Sequence, residues 1–357
     1  MDYLLTIPAG FILFISLINF LTIRMPNKSA HIQESISVIV PLRNEATNVV
    51  DLVNSLRNQK SLIQVEYLLL DDNSEDDTLA LLQQHASGLS NFHILSGGAL
   101  PAGWIGKTWA LEQLFEKSSG EIIISVDADV RLVPDAISRA VTLLKDAQLD
   151  FLSPYPKQLA DSWSEKLIQP LLQWSWMSTV ILRIAEKSSI SSMVVANGQF
   201  FVVKRAALAQ VGGYDSVRNK VLDDVVLARS LVKSGSYGCV ANGAAIASTR
   251  MYSSWKEIQA GYGKSLHAAF GSVLGSAIAI AFLFLTGIAP LIAGIAGSSI
   301  GWFAFGAVTL TRAMSAIKVG TSGLDAFLHP ISSALLIYLI IYSWMMRGQV
   351  QWKGRTL

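Results

Sequence analysis

The placement of apolar residues constrains this chain more than any other feature. Tyr3 to Ile23 is almost wholly apolar, interrupted by Thr6, Pro8, Ser16, Asn19 and Thr22, and about 20 such residues suffice for a helix to cross a hydrocarbon core. A cleaved leader wants a basic start, a shorter apolar run and a small-residue cleavage site. Met1-Asp2 offers no basic start, so the segment reads as an anchor. Arg24 and Lys28 come directly after it, which favours the cytosolic side for the next domain. A second apolar block, His267 to Leu310, is too long for one crossing. Gly287 to Pro290 is its natural break, predicting helices over 268–287 and 290–311. Phe327 to Met346 predicts a fourth span. Gly271, Gly275, Ser276, Ala279, Gly294, Gly297 and Ser298 suit close helix packing in lipid. Four crossings put both termini outside, yet Arg347, Lys353 and Arg355 lie in the tail. The count and the basic residues conflict there, which leaves open a segment that re-enters or lies in the interface.

Between these ends the chain reads as an ordinary soluble domain. Charged residues are 15% of the whole, against roughly 25% in an average soluble domain, and the apolar ends account for the difference. A net charge of +2 provides no concentrated basic face for nucleic acid. The single Cys239 excludes an intramolecular disulfide, suits a reducing compartment, and reads as a small buried hydrophobe rather than a nucleophile.

The middle alternates short apolar strands with helical stretches. Ser37 to Val40 is a buried strand, followed by Pro41 and a helix from Glu45 to Asn58. Glu66 to Leu70 is a second strand, ending in Asp71-Asp72-Asn73-Ser74 and leading into a helix to His85. Phe92 to Leu95 is a third, with a helix from Thr108 to Lys117. Glu121 to Val126 is a fourth and runs straight into Asp127-Ala-Asp129. This alternation predicts a largely parallel sheet with helices on both faces. Ligands of such sheets bind beyond the carboxyl ends of the strands. Arg43-Asn44-Glu45, Asp71-Asp72 and Asp127-Ala-Asp129 all fall there.

Residues two apart in an extended segment point the same way, so Asp127 and Asp129 are expected to face one site. Paired hard oxygens suit Mg²⁺ or Mn²⁺ together with substrate phosphates. A carboxylate of Asp71-Asp72 can accept from a base N–H or a ribose hydroxyl. Gly103-Trp-Ile-Gly106-Lys107-Thr108 looks at first like a phosphate loop, but Pro101 stands where that loop needs glycine, so the ATPase reading fails at a required position. Lys107 remains a candidate cation for a diphosphate near a helix start. Asn197-Gly-Gln-Phe200, Gly212-Gly213-Tyr214 and Leu222-Asp223-Asp224 form a second constellation, whose acid pair offers a general base. Arg250, ahead of Trp255, can grip a diphosphate bidentately. Trp163 to Ile190 carries Trp163, Trp174 and Trp176 with Lys166, Arg183 and Lys187. It is too polar to span and suits an interfacial amphipathic helix. Each has a plainer reading: helix caps for the acids, a solvated surface for Lys107, a positive-inside residue for Arg250, a soluble helix for 163–190.

Taken in order, these residues resemble glycosyltransferase family 2, the inverting, nucleotide-sugar-using enzymes of the GT-A fold. Ser37-Val-Ile-Val-Pro-Leu-Arg-Asn-Glu45 is similar to the family's opening strand and nucleotide turn, and Asp71-Asp72-Asn-Ser to its second nucleotide site. Asp127-Ala-Asp129 resembles its metal motif, and Asp223-Asp224 stands where the family has Glu-Asp. Gly103-Trp-Ile-Gly-Lys107 and Arg250-Met-Tyr252 look most like the carotenoid-glucosylating and hopanoid-associated branch. The Gln-x-x-Arg-Trp motif of processive polymer synthases is missing, Arg250 being followed by Met251.

The resemblance implies an α/β GT-A domain over 35–265, an anchor at 1–24 and membrane helices over 266–347. It implies transfer of one sugar from a nucleoside-diphosphate sugar, UDP-linked, to a lipid or isoprenoid-like acceptor. Asp224 is then the base beside Asp223. Pro41, Arg43, Glu45, Asp72, Lys107, Asp127 and Arg250 bind the donor, Asp129 and Asp127 hold a divalent metal, and Asn197, Trp163 and Trp255 face acceptor or interface. The setting is a cell membrane, crossed several times, with the catalytic domain cytoplasmic. Two rivals are a polyprenyl-phosphate sugar synthase and a non-catalytic transporter or scaffold. The second wants charges within the spans, where Arg312, at one end, is almost alone.

Overall fold

The computed structural model describes residues 3–347 and the backbone of 351–352 and 355–356, so Met1, Asp2 and Lys353 lie outside the described residues. The chain divides into a sheet unit, 24–157 with 184–250, and a helical unit, 1–23 with 158–183 and 251–357.

In the sheet unit the strands are β1 (Ile32–Leu42), β2 (Leu62–Asp71), β3 (Phe92–Ser96), β4 (Ile122–Val126), β5 (Val130–Leu132), β6 (Phe151–Tyr155), β7 (Phe200–Lys204), β8 (Gly238–Asn242) and β9 (Ala247–Thr249). Seven of them make one sheet in the order β3-β2-β1-β4-β7-β6-β8. β1 pairs in parallel with β2 and β4, β2 with β3, and β6 with β8; β7 runs antiparallel between β4 and β6. β5 and β9 pair antiparallel beyond β4, within a small three-stranded sheet completed by the two-residue strand Lys157–Gln158. Successive residues feed opposite faces. Val38, Val40, Leu69 and Ile124 pack under helices Ala46–Arg57 and Ala136–Asp146. Ile39, Leu68, Leu70 and Ile123 pack under Gly106–Lys117 and Asp223–Lys233. Burial on both faces is why these strands read as unbroken apolar runs. Cys239 is buried in β8. The chain moves outward from β1 to β3 and then returns to β4 on the other side of β1. This places the order reversal, and the crevice it opens, between β1 and β4.

In the helical unit, four helical stretches among the described residues are long and apolar enough to cross a membrane: 3–22, 273–295, 299–318 and 324–345. The break expected at Gly287 to Pro290 is corrected. Those residues lie inside one helical run, where Phe284–Ile288 winds as a π-helix between Val273–Leu283 and Ala289–Ile295. Pro290 follows directly on the π-turn, whose wider winding accommodates a residue without an N–H inside the run. Gly287 lets the run approach the 329–345 helix, since a Cβ there would collide with the Ser333 hydroxyl. The chain breaks instead at 296–298: Gly297 has φ +96°, and Ser298 caps the next helix through the Gly301 N–H.

The helix expected over 163–190 is also shorter, Trp163–Thr179. A capping box between Ser162 and Glu165 starts it. Pro170 leaves the Lys166 carbonyl without its helical donor, and Arg312 Nη2 donates to that carbonyl at 3.2 Å. Asn19 ends the helix. Its amide donates to the carbonyls of Met177 (2.9 Å) and Val180 (2.6 Å), and its carbonyl accepts from the Leu182 N–H (3.0 Å). Trp174 and Trp176 are buried, with Trp174 Nε1 on the Thr311 hydroxyl at 2.8 Å. Trp163 is exposed and stacks on Trp255 at 6.1 Å, which in turn stacks on Tyr338.

Candidate active site

The loops after β1 and β2 are laced together by side chains. Arg43 is buried, and its Nη1 donates to the carbonyls of Asp72 and Asn73, both at 2.7 Å, while Nη2 meets Glu75 at 3.1 Å. Arg43 thus holds the second loop's backbone. Asn44 and Asn73 take positive φ (51° and 54°), a conformation asparagine tolerates better than other side chains. The Asn44 N–H donates to Ser74 Oγ, and Asn44 Oδ1 accepts from the Glu75 N–H. Pro41 sits at the end of β1 opposite Leu70. Asp72 is buried, its N–H on the Leu42 carbonyl. Asp71 Oδ2 accepts from the Ser74 N–H at 3.3 Å, while its buried Oδ1 has no hydrogen-bond partner among the described residues.

Asp127-Ala128-Asp129 does not continue β4 as an extended segment, contrary to the expectation from the pleat. The chain turns, Val130 N–H returning to the Asp127 carbonyl at 3.1 Å, before β5 begins. The turn still gathers carboxylates. Asp127 Oδ1 lies 2.7 Å from Lys107 Nζ and Oδ2 3.1 Å from it. Asp129 Oδ2 accepts from the Thr249 hydroxyl at 2.9 Å. Burial, then the charges of Asp127 and Glu45, push the Asp129 carboxyl up to about 6. Glu45 in turn accepts from Asn48 Nδ2 at 2.7 Å, and Asn48 Oδ1 accepts from Arg131 at 2.6 Å.

The second constellation meets the first at Lys107. Asp223 and Asp224 open the helix Asp223–Lys233, and with Lys107, Asp127, Gly198 and Tyr214 they line one small cavity. Backbone donors grip Asp224: Gly198 N–H reaches Oδ2 at 2.7 Å and Val225 N–H reaches Oδ1 at 2.8 Å. Asn197 shapes that loop, its Oδ1 accepting from Gln199 N–H (2.7 Å) and its own N–H meeting Ser153 Oγ (2.8 Å). Gln199 closes the circuit by accepting the Asp127 N–H at 3.0 Å. Gly198 lies close against the acid, where a Cβ would sit 3.2 Å from Asp224 Cβ. Burial raises the Asp224 carboxyl, with Lys107 and the two N–H donors pulling the other way. Burial also pushes Asp223 up to about 7, against Lys107 and with the like charges of Asp224 and Asp127. For Lys107, burial works against the ammonium, but the Asp127, Asp223 and Asp224 charges outweigh it and raise its pKa.

The structure therefore brings Lys107, Asp127, Asp223 and Asp224 to one point, with Asp129 and Glu45 electrostatically joined to it. Arg250 is exposed immediately after β9, and Trp163 and Trp255 belong to the helical unit. Thr249, and the N–H of Gly198 as a grip on Asp224, escaped the sequence reading. The first is one of many threonines, and the second is backbone. Among the described residues no three His, Cys, Asp or Glu side chains gather as a metal site. Asp127 and Asp129 nonetheless fit a divalent ion, being two hard carboxylates whose mutual repulsion a cation relieves. Such an ion commonly completes its shell with phosphate oxygens and water.

Residues 37–212 match the family model described as Glycosyl transferase family 2, a stretch that ends before Asp223. Two curated relatives, the β-monoglucosyldiacylglycerol synthases of Trichormus variabilis and of a Nostoc species, are each 28% identical over 199 residues, covering 54% of this chain. The match spans 40% of those relatives' length. Among solved structures, the mannosyltransferase PcManGT of Pyrobaculum calidifontis, in complex with GDP-Man and Mn²⁺, has a TM-score of 0.54 at 15% identity, covering 97% of this chain and 98% of that one. That likeness is one of fold.

Proposed function

The chain belongs to glycosyltransferase family 2 and carries the GT-A fold, and on that premise we propose that it moves one sugar from a nucleoside-diphosphate sugar to a hydroxyl of a membrane lipid. The observation that carries this reading is Asp224, a buried carboxylate oriented by two backbone N–H donors beside Lys107 and Asp127. Asp224 takes the acceptor's hydroxyl proton. The freed oxygen attacks the anomeric carbon from the face opposite the diphosphate, the bond to the diphosphate breaks, and the configuration inverts. Asp223 shares the acidic neighbourhood and shapes the base's charge. Asp71 and Asp72, on the loop that Arg43 holds, receive the nucleoside, with Pro41 and Glu45 on the adjoining turn. Asp127 and Asp129 hold the metal, Mg²⁺ or Mn²⁺, which when bound neutralises charge on the departing diphosphate. Arg250 lies one residue past Thr249 and adds a cation for the same group.

The names of the curated relatives support a diacylglycerol-like acceptor, and four apolar helices support a multi-pass enzyme at the membrane. We assign 35–265 as the catalytic domain, with 1–24 and 266–347 as its membrane parts. Arg24 and Lys28 favour the cytoplasmic face. Among donors, a UDP-sugar is the first to test. Trp163, Trp255 and Asn197 are assigned to the acceptor side or the interface.

The test incubates membranes containing the full chain with a panel of labelled nucleotide-sugars and identifies the lipid product by mass spectrometry. A glycosidic lipid is expected, and a labile sugar phosphodiester would instead indicate a polyprenyl-phosphate acceptor. Asp224→Asn should lower turnover by about a thousandfold while leaving nucleotide binding nearly intact. Wild-type turnover in that variant would remove the base assignment.

A further inference from the structure

We propose that Lys107 is the resting counter-ion of this site, holding Asp127 until the donor arrives, so that metal and nucleotide enter together and metal alone is kept out. This rests on the reading of Asp127 and Asp129 as the metal's ligands.

Both oxygens of Asp127 face one ammonium, at 2.7 and 3.1 Å from Lys107 Nζ. Asp129 accepts from Thr249, and no third ligating side chain gathers with the pair among the described residues. A hydrated divalent ion arriving alone must displace the ammonium and receives only two carboxylates in exchange. Divalent ions in such sites are ordinarily held by carboxylates together with substrate phosphates. A diphosphate changes the balance twice over. It contributes oxygens to the metal, and it offers the displaced ammonium a new anionic partner.

Local structure suits that transfer. Lys107 lies in the first turn of Gly106–Lys117, a helix long enough for its N-terminus to favour an anion. Asp223 and Asp224 line the same cavity, so the ammonium is still balanced by acid after it leaves Asp127. Gly198 flanks the ammonium, and a Cβ built there would already be in van der Waals contact with Nζ at 3.6 Å. Metal and nucleotide then strengthen each other's binding by one common factor, as linkage requires.

Binding of Mn²⁺ to the full chain in detergent micelles, read from the electron-paramagnetic signal of free Mn²⁺, tests this with and without UDP, and with GDP in parallel. The wild-type chain should take Mn²⁺ weakly alone and more tightly with nucleotide. Lys107→Met should bind Mn²⁺ alone about tenfold more tightly than wild type, and nucleotide should then add less. Lys107→Gln, which keeps a polar group of moderate length, should do the same if the methionine variant does not fold. Unchanged affinity for Mn²⁺ alone in a folded Lys107 variant overturns the inference. Asp129→Asn separates the metal assignment from the counter-ion role. If it leaves nucleotide-supported Mn²⁺ binding untouched, the metal assignment itself fails; if it abolishes that binding while Lys107 replacement changes nothing, only the counter-ion role fails.

Discussion

Gly198 shows how much of this site is made of backbone. Its N–H orients the carboxylate of Asp224, and the absence of a side chain lets the two come together. Gly198→Ala places a Cβ 3.2 Å from Asp224 Cβ, tighter than nine in ten real contacts, so the loop or the acid gives by a few tenths of an ångström. The variant should fold with an unchanged melting temperature but lose about tenfold or more in kcat, because a base held slightly out of line loses much of its effect. Normal kcat would show that the N–H contact does not position the base. Charge makes a second demand on the same residue. Burial raises Asp224, and Asp223 beside it is pushed up to about 7. As the proposed base, Asp224 has to act ionised, so kcat/KM should fall on the acid side with its midpoint raised above the ordinary carboxylate value. A pH profile of kcat/KM that stays flat down to that ordinary value would contradict the assignment. The acid pair itself was legible as two adjacent acids before an apolar helix. The Gly198 grip was not, because a backbone N–H carries no letter in the sequence and meets Asp224 only across 26 positions.

Asn19 plays the corresponding part for a whole element. It sits in the last turn of the apolar helix Tyr3–Thr22, where a polar residue reads as a minor interruption, yet three hydrogen bonds tie it to the end of Trp163–Thr179. Asn19→Leu strands two carbonyls and an N–H in apolar surroundings, a loss of about 1–2 kcal/mol given the modest worth of such bonds in lipid. Faster amide exchange confined to residues 176–182, with a lower melting temperature, is the expected result, and unaltered exchange there would refute the capping role. The four leading strands of the sheet were legible because burial on both faces leaves uninterrupted apolar runs, although β1 and β2 extend further toward their N-terminal ends than those runs indicated. The end of the 163–179 helix was not legible, since the Asn19 amide that caps it is 158 positions away from Met177 in the sequence. Gly287 and Pro290 misled for a related reason. They are breakers by local rule, but a π-turn absorbs one and packing against Ser333 requires the other.

At the scale of the whole molecule, the position of that break decides how the proposed multi-pass chain would thread a bilayer. With helices at 268–287 and 290–311, residues 296–298 would lie within the hydrocarbon, some 9–12 Å along a helix from its start. With one run over 273–295 and another from 299, the same residues form a turn at the end of a stretch long and apolar enough to cross. Arg24 and Lys28 favour the cytosolic side for the segment after the first helix, and an odd number of further crossings puts 296–298 on the opposite face. Cys239 is the chain's single cysteine and is buried in the sheet, so Cys239→Ala gives a background in which one introduced thiol can be followed. In that background Lys28→Cys should react with a membrane-impermeant maleimide only from the cytosolic side, and Ser298→Cys only from the other. Labelling of both from one side would mean that 273–295 does not cross. A Ser298→Cys thiol that is protected from both sides in membranes yet reactive in denaturant would return the break to 287–290, because only a turn buried within the hydrocarbon escapes reagent from either face.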